Sequence, residues 1–149
     1  MNDKRIILPN EILLGEVSAR LSNGQEVILL TKGNSMLPYL HNERDSVALR
    51  RTEPAVGNIA LAEIRPGVYV LHRIIALEGD RVTLMGDGNL RGTESGRRCD
   101  IKGCVVRIVH PDGKETVPGK GRLWRRLLPL RRGLLFVYKR IHRIKLLPK

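Results

Sequence analysis

The first regular pattern in the chain is helical and covers residues 9–22, "PNEILLGEVSARLS". Leu13, Val17 and Leu21 recur every four residues, so they share one face of an α-helix. Asn10 is a suitable N-cap, and the Asn-Gly pair that follows the segment is a typical stop signal. The pattern therefore predicts a short amphipathic helix near the N-terminus.

After this helix the pattern changes to that of β-strands. Short segments rich in β-branched and aliphatic residues alternate with turn signals such as Pro66-Gly67 and Gly79-Asp80. Six segments are predicted to be strands: 26–31, 46–50, 58–64, 68–77, 81–86 and 104–110. Short strands joined by tight turns favour a mainly β body, built as coiled antiparallel sheets or a partly open barrel.

A Pro/Gly-rich break, "VPGKG", separates this body from a C-terminal tail in which Pro129 and Gly133 are further interruptions. From residue 134 onward, apolar residues recur with helical spacing. The members of this apolar stripe are Leu134, Val137, Tyr138, Ile141 and Ile144. The sequence thus predicts a β domain over residues 1–118 and a basic amphipathic tail over residues 119–149.

The net charge of +12 belongs to the tail. Residues 119–149 contain eleven Lys and Arg and no Asp or Glu, whereas residues 1–118 contain 16 basic and 15 acidic residues and are close to neutral. A basic tail can bind the phosphate groups of either nucleic acid or lipid.

The sequence predicts neither a metal site nor a cofactor. Cys99 and Cys104, with only His110 nearby, provide too few ligands for structural zinc, and free thiols are favoured over a disulfide. The apolar run at the N-terminus is four residues long, which is too short for a signal peptide. No stretch approaches the roughly 18 apolar residues of a membrane span. We therefore expect a cytoplasmic protein.

The segment "KGNSMLPYL", residues 32–40, directly follows the first predicted strand. Gly, Asn, Ser and Pro each favour chain reversal, so turn formation is one explanation of Ser35. The other is a serine nucleophile, which requires a base within hydrogen-bond reach. Among the histidines, His72 stands out because it interrupts the longest predicted strand. A histidine on such a face, which it shares with Val70 and Ile74, is more often a core or surface residue than a base.

Three sequence blocks place these two residues in a common context. "GNSMLP" precedes "LHRII", in which the histidine lies 37 positions after the serine, and "EGDRVTLMGDGN" follows. In this order the blocks resemble the serine peptidase superfamily that contains type I signal peptidases and LexA-type repressors. Most members use a lysine base. A histidine at this position resembles the Ser-His branch, which includes the signal peptidase of the endoplasmic reticulum.

The resemblance implies a serine endopeptidase that acts on a peptide or protein substrate, with Ser35 as nucleophile and His72 as general base. Neutral imidazole can accept the serine proton near cellular pH. The acid that orients His72 is less well defined, because the Asp-Asp pair of the Ser-His branch is missing. Asp87 in "GDGN" is the first candidate, either in that role or as a structural turn residue, and Glu94 is the next.

The oxyanion hole implied by the resemblance includes the backbone N–H of Ser35. Many bacterial signal peptidases add a side-chain hydroxyl two residues earlier, where this chain has Gly33. A backbone donor or Asn34 would have to serve instead.

The resemblance is not complete: the sequence predicts neither the membrane anchor of signal peptidases nor the DNA-binding domain of LexA-type repressors. Its tail predicts peripheral binding to an anionic membrane surface on the cytoplasmic side, because nucleic acid would leave the apolar stripe without a partner. The predicted membrane-surface residues are Trp124, Arg125, Arg126, Arg131, Arg132, Lys139, Arg140 and Arg143. Two alternatives stay open: the stripe packs against the β body, or the protein is a non-catalytic binding module whose tail contacts nucleic acid. The sequence does not indicate an oligomeric state.

Overall fold

The computed structural model describes residues 10–33, 35–41, 43–89, 92–121, 126–127 and 130–146, without the side chains of residues 10–12, 131 and 142–146. The described chain is mainly β, with an antiparallel sheet that does not close, one helix before it and one after it. The strands are β1 (Val27–Leu30), β2 (Ser46–Arg50), β3 (Ile59–Arg65), β4 (Val68–Glu78), β5 (Arg81–Met85), β6 (Glu94–Arg97), β7 (Ile101–Val109) and β8 (Glu115–Thr116). The helices are α1 (Asn10–Ser22) and α2 (Arg131–Leu146), and a 3-10 turn, Arg98–Asp100, precedes β7.

The strand order leaves two backbone edges open near each other in the fold. The order is β1-β2-β7-β3-β4-β5-β6, with β8 paired to β7, so β1 lies at one end of the sheet. β4 pairs with β3 over residues 68–73 and with β5 over residues 73–78. Within the described part of the chain, residues 68–72 therefore have a strand on one side only.

The mainly β prediction and all six predicted strands are confirmed. β7 begins at Ile101, which is earlier than the predicted start at residue 104. The sequence pattern does not predict β6 or β8. β6 reads Glu-Ser-Gly-Arg and has no apolar alternation, so its ladder with β5, rather than burial, defines it as a strand.

Helix α1 covers one face of the sheet, as its periodicity predicts. Val17 and Leu21 are buried, and a Cβ built at Gly103 on β7 would lie 3.0 Å from Leu21 Cδ1. A larger residue at this position would therefore push the helix away from the sheet. The apolar cluster beneath α1 also contains Met36, Leu40, Val47, Leu49, Ile59, Leu61, Val105 and Ile108.

Helix α2 begins at Arg131, so Gly133 lies inside the helix and not at a break before it. Its contact with the rest of the protein is made through Leu135, which is 3% exposed and packs against Leu37. On the same side, Tyr138 OH forms a hydrogen bond with His41 Nε2. The C-terminal helix thus rests on the loop that carries Ser35.

The predicted apolar stripe of α2 is largely distinct from the surface by which this helix packs on the β domain. Leu135, which is not part of the stripe, is the buried residue, whereas Leu134, Val137 and Ile141 are 41%, 54% and 49% exposed. The side chain of Ile144 lies outside the described residues. None of the described helices has the length and apolar character needed to cross a membrane.

A buried carboxylate, Asp45, holds the loop that follows β1. Its Oδ2 accepts a hydrogen bond from the His41 backbone N–H at 3.0 Å and also lies 3.0 Å from His41 Nδ1. Its Oδ1 lies 3.2 Å from His110 Nδ1, and Thr31 Oγ1 donates to its backbone carbonyl at 2.7 Å. Burial raises the pKa of Asp45, but the hydrogen bonds from the two histidines outweigh burial and lower the pKa below its ordinary value.

We expect Asp45→Asn to lower the free energy of unfolding by about 1–3 kcal/mol at neutral pH, because buried hydrogen bonds to a charged group are lost. The folded-state pKa of Asp45 is lower than the unfolded one. The stability it provides is therefore present above the unfolded pKa of ~3.9 and is lost as the pH falls through the folded value. Urea unfolding at about pH 7 and about pH 3 measures the difference, which should narrow in acid.

Asp112→Asn is the matched control, because Asp112 is exposed and its described contacts are local, with the backbone N–H and the ammonium group of Lys114. It should change stability by less than about 0.5 kcal/mol. If the free energies of unfolding of wild type and Asp45→Asn differed by the same amount at acid and at neutral pH, the ionic role of Asp45 would be contradicted.

Candidate active site

A cavity of about 180 Å³ lies between the segment that follows β1 and the open edge of β4. Its lining residues are Thr31, Lys32, Gly33, Ser35, Met36, Leu40, Tyr69, Val70, Leu71 and His72. Ser35 and His72, which are far apart in the sequence, therefore line the same cavity. The site combines a hydroxyl and an imidazole, the two groups that nucleophilic catalysis by serine requires.

His72 is fixed on β4 and is 6% exposed. Its partner across the ladder is Ala60 on β3, whose small side chain leaves room for the ring. His72 Nδ1 lies 2.8 Å from Glu94 Oε2. Because a carboxylate only accepts hydrogen bonds, this contact assigns the proton of the neutral ring to Nδ1 and leaves Nε2 as an acceptor.

The backbone of Ser35 packs against the turn formed by residues 86–89. The Gly88 N–H donates to the Ser35 carbonyl oxygen at 2.7 Å. A Cβ at Gly86 would collide with this same oxygen, so the close approach requires glycine. The Asp87 N–H donates to Met36 Sδ at 3.4 Å, and Met36 is itself buried. The "GDGN" turn therefore fixes the backbone of the predicted nucleophile.

The described hydrogen bonds include none between Ser35 Oγ and His72 Nε2, so the shared cavity is the link between them. In ligand-free sites, nucleophile and base are often separated in this way and approach each other when substrate binds.

The structure corrects the ranking of the two candidate acids. Asp87 is 1% exposed and binds Arg73: Nε donates to Oδ1 at 2.8 Å, and Nη2 donates to Oδ2 at 2.7 Å. A carboxylate committed to a buried guanidinium has a structural role, which was one of the two predicted for Asp87. The carboxylate that contacts His72 is Glu94, the second candidate, whose side chain is 24% exposed.

The residues that line the cavity favour the binding of a polar group that carries no positive charge. Burial, together with the hydrogen bond and the charge of Glu63, raises the pKa of Tyr69 to about 12, so its phenol stays neutral. Lys32 contributes an exposed ammonium group, and none of the lining residues is acidic. Such surroundings suit a peptide carbonyl whose oxygen becomes negative during reaction.

The remaining predicted site residues lie in different places. Gly33 is an exposed lining residue of the cavity, whereas Asn34 lies outside the described residues. Of the predicted membrane-surface residues, the exposed ones are Arg126, Arg132, Lys139 and Arg140. Trp124, Arg125 and the side chains of Arg131 and Arg143 are outside the description.

The described residues contain no group of three or more His, Cys, Asp or Glu that could hold a metal ion. Cys99 and Cys104 are both free thiols, as the sequence favours. Cys104 is buried in the sheet, and burial raises its thiol pKa, so it remains a neutral core residue.

Comparison with known proteins does not add to this description: no protein-family model matches the chain, and no curated protein is significantly similar to it.

Sequence reasoning missed Arg73, which supports the site from the opposite face of β4. Besides Asp87, its Nη1 donates to the carbonyl oxygens of Gly57 at 2.8 Å and Gly119 at 2.6 Å, and its guanidinium carbon lies 4.9 Å from the ring centroid of Tyr39. The signal was present: an arginine inside an apolar strand must find partners, because an unpaired buried charge is very costly. The identity of those partners is not local information.

We expect Asp87→Asn to lower the free energy of unfolding by about 3–5 kcal/mol, because it leaves the buried Arg73 without its counter-charge. Glu94→Gln is the matched control, since it removes the charge of a partly exposed carboxylate and should cost less than about 1 kcal/mol. Urea unfolding of both variants near neutral pH measures the two values. Equal losses in the two variants would contradict the division into a structural and a site carboxylate.

Proposed function

We propose that this protein is a serine endopeptidase that cleaves peptide bonds with Ser35 as nucleophile and His72 as general base. The observation that carries the proposal is the common cavity of these two side chains, together with the 2.8 Å contact between His72 Nδ1 and Glu94. In this proposal Ser35, His72 and Glu94 take the roles of nucleophile, base and orienting acid that define a serine hydrolase triad.

In the first half of the reaction, Ser35 Oγ attacks the carbonyl carbon of the scissile bond while its proton passes to His72 Nε2. The protonated imidazole then gives this proton to the leaving amine nitrogen, and an acyl-enzyme ester remains on Ser35. In the second half, a water molecule loses a proton to His72 and attacks the ester. The proton then returns to Ser35 Oγ, and the new carboxylate is released.

Glu94 supports this cycle by holding the ring orientation and stabilising the imidazolium that forms. The negative oxygen of the tetrahedral intermediate needs donors, and the backbone N–H of Ser35 is the first of them in this proposal. The hydrogen bond from Gly88 to the Ser35 carbonyl oxygen supports this role, because it anchors the backbone at the C-terminal side of the same residue.

A peptide substrate fits the open edges on either side of the cavity. β1 ends at Leu30, directly before the lining segment, and is an edge strand. Residues 68–72 of β4 provide the second open edge. Backbone groups on such edges bind extended peptides by adding a strand. We also propose the finer fold assignment, a coiled sheet of the LexA–signal peptidase type, because the order of the sequence motifs supports it.

We also propose that α2 attaches the enzyme peripherally to an anionic membrane surface on the cytoplasmic side. Leu134, Val137 and Ile141 recur at three- and four-residue spacing on one side of the helix and are exposed. Arg132, Lys139 and Arg140 are exposed elsewhere around it. Burial of the apolar side chains at the lipid boundary, with about 1 kcal/mol from each basic residue close to anionic headgroups, would hold the protein there.

We expect Ser35→Ala and His72→Ala each to reduce peptide cleavage by about 10³-fold or more, and Glu94→Gln by about 10²-fold or more. The double variant Ser35→Ala/His72→Ala should be little worse than either single one, because the residues act as a unit. The measurement is mass spectrometry of new termini after the purified protein has been incubated with a complex mixture of peptides.

His110→Ala is the matched control for His72. His110 also has its Nδ1 against a carboxylate, at 3.2 Å from Asp45, but it does not line the cavity. It should keep near wild-type cleavage per folded molecule. If His72→Ala cleaved as fast as His110→Ala, the assignment of the base would be wrong.

We expect the wild-type protein to sediment with vesicles that contain anionic lipid and not with neutral ones. Val137→Asp should weaken the binding by about tenfold, because a charge replaces an apolar group at the lipid boundary. Val117→Asp is the matched control: it makes the same change at a residue that is 82% exposed and lies outside α2. Binding of DNA in a salt-dependent manner, without binding to anionic vesicles, would instead favour the nucleic-acid alternative.

A further inference from the structure

A second cavity, also of about 180 Å³, lies directly beside the first. The two share five lining residues: Thr31, Lys32, Tyr69, Val70 and Leu71. Among the residues that the structure describes, those that belong to the second cavity alone are leucines: Leu13, Leu14, Leu29, Leu30 and Leu61. A polar cavity with Ser35 and His72 is thus continuous with an aliphatic one.

The aliphatic cavity is open to solvent and is not an internal packing defect. Leu30 is 41% exposed at the end of the edge strand β1, and Leu13 and Leu14 of α1 are half-buried. Leu61, by contrast, is 2% exposed and belongs to the core beneath. An apolar surface that runs from solvent into the core, beside a candidate nucleophile, is typical of a binding site for an apolar group.

We propose that this aliphatic cavity is a substrate subsite, which binds one large apolar side chain of the peptide, such as leucine, methionine or phenylalanine. The inference rests on the proposed peptidase function and adds a substrate class to it. The occupant is inferred from continuity: a peptide whose scissile carbonyl lies at Ser35 passes the shared residues, and its neighbouring side chain meets the five leucines.

The chemistry of the lining predicts which side chains the subsite rejects. The polar lining residues Thr31, Lys32 and Tyr69 belong to the part shared with the first cavity. None of the leucines can hydrogen-bond to a buried carboxylate, amide or ammonium, so a polar side chain that enters the leucine part would lose its water without compensation. An alanine side chain would leave most of the cavity unfilled. Each methylene transferred from water to such a site strengthens binding by about fourfold. A leucine should therefore be preferred to an alanine by about tenfold or more.

The test uses the full chain with Ser35→Ala, so that binding is measured without cleavage. The probes are end-blocked alanine hexapeptides in which one position at a time is leucine or aspartate, and the readout is the methyl NMR spectrum. We expect a leucine peptide to bind about tenfold more tightly than the all-alanine peptide, and an aspartate peptide to bind no better than alanine. The shifted methyl signals should belong to Leu13 and Leu30.

Two residues of one strand provide matched variants. Leu30 lines the aliphatic cavity, whereas Ile28, two positions earlier and 59% exposed, does not. Leu30→Lys should remove the preference for leucine, and Ile28→Lys should leave it intact. Leu13→Trp, which fills the cavity from the α1 side, is an independent variant and should also remove the preference.

Several outcomes would overturn the subsite: equal binding of leucine and alanine peptides, equal effects of Leu30→Lys and Ile28→Lys, or methyl shifts confined to α2. Concentration-dependent shifts of the same leucines without peptide would assign the surface to a second copy of the chain instead. Failure of the peptidase proposal looks different. In that case the leucine preference persists in binding, but the wild-type chain does not cleave the peptides that it binds.

Discussion

The buried ion pair between Arg73 and Asp87 is the interaction on which the rest of the site depends. Both side chains are almost fully removed from water, at 1% and 2% exposure, and such a pair is tolerated only when the remaining donors are also satisfied. The guanidinium meets this condition with the carbonyl oxygens of Gly57 and Gly119. It thereby connects a strand, two turns and the start of the C-terminal segment at one point.

This ion pair connects the two backbone segments that carry the residues proposed to react. His72 is the residue before Arg73 on β4 and faces the opposite side of the sheet, because strand side chains alternate. The other member of the ion pair, Asp87, belongs to the turn that supports the Ser35 backbone. The positions of the proposed base and the proposed nucleophile are therefore set from the same charged centre. This coupling links two groups that are separated in the sequence by β2 and β3 and that line one cavity.

The sequence predicts those parts of the fold that depend on local pattern. The strands with β-branched alternation and the helix α1 appear where their periodicity places them. The sequence pattern does not predict β6, because cross-strand hydrogen bonds and not side-chain burial define this strand. The contact of Glu94 with His72 depends on β6 and is therefore not predicted by the pattern either. Asp87 and Glu94 both follow β4 in the sequence, and only the three-dimensional path of the chain decides which of them contacts Arg73. Similarly, Leu135 is buried instead of Leu134 because Leu37 offers a surface that no helical periodicity encodes.

The contact between Arg73 and Gly119 also has a consequence for the order of events during synthesis. It spans 46 residues of sequence, and the contact of Tyr138 with His41 spans 97. Gly121, at the same junction, has no space for a Cβ, which would lie 2.7 Å from Arg73 Nε. Gly119 must therefore leave the ribosome before the Arg73 guanidinium can have all of its acceptors. Contacts of such long range form slowly. The support of the serine turn is thus completed by residues made well after the turn itself, so a nascent chain that has not yet reached Gly119 carries Ser35 on an incomplete support.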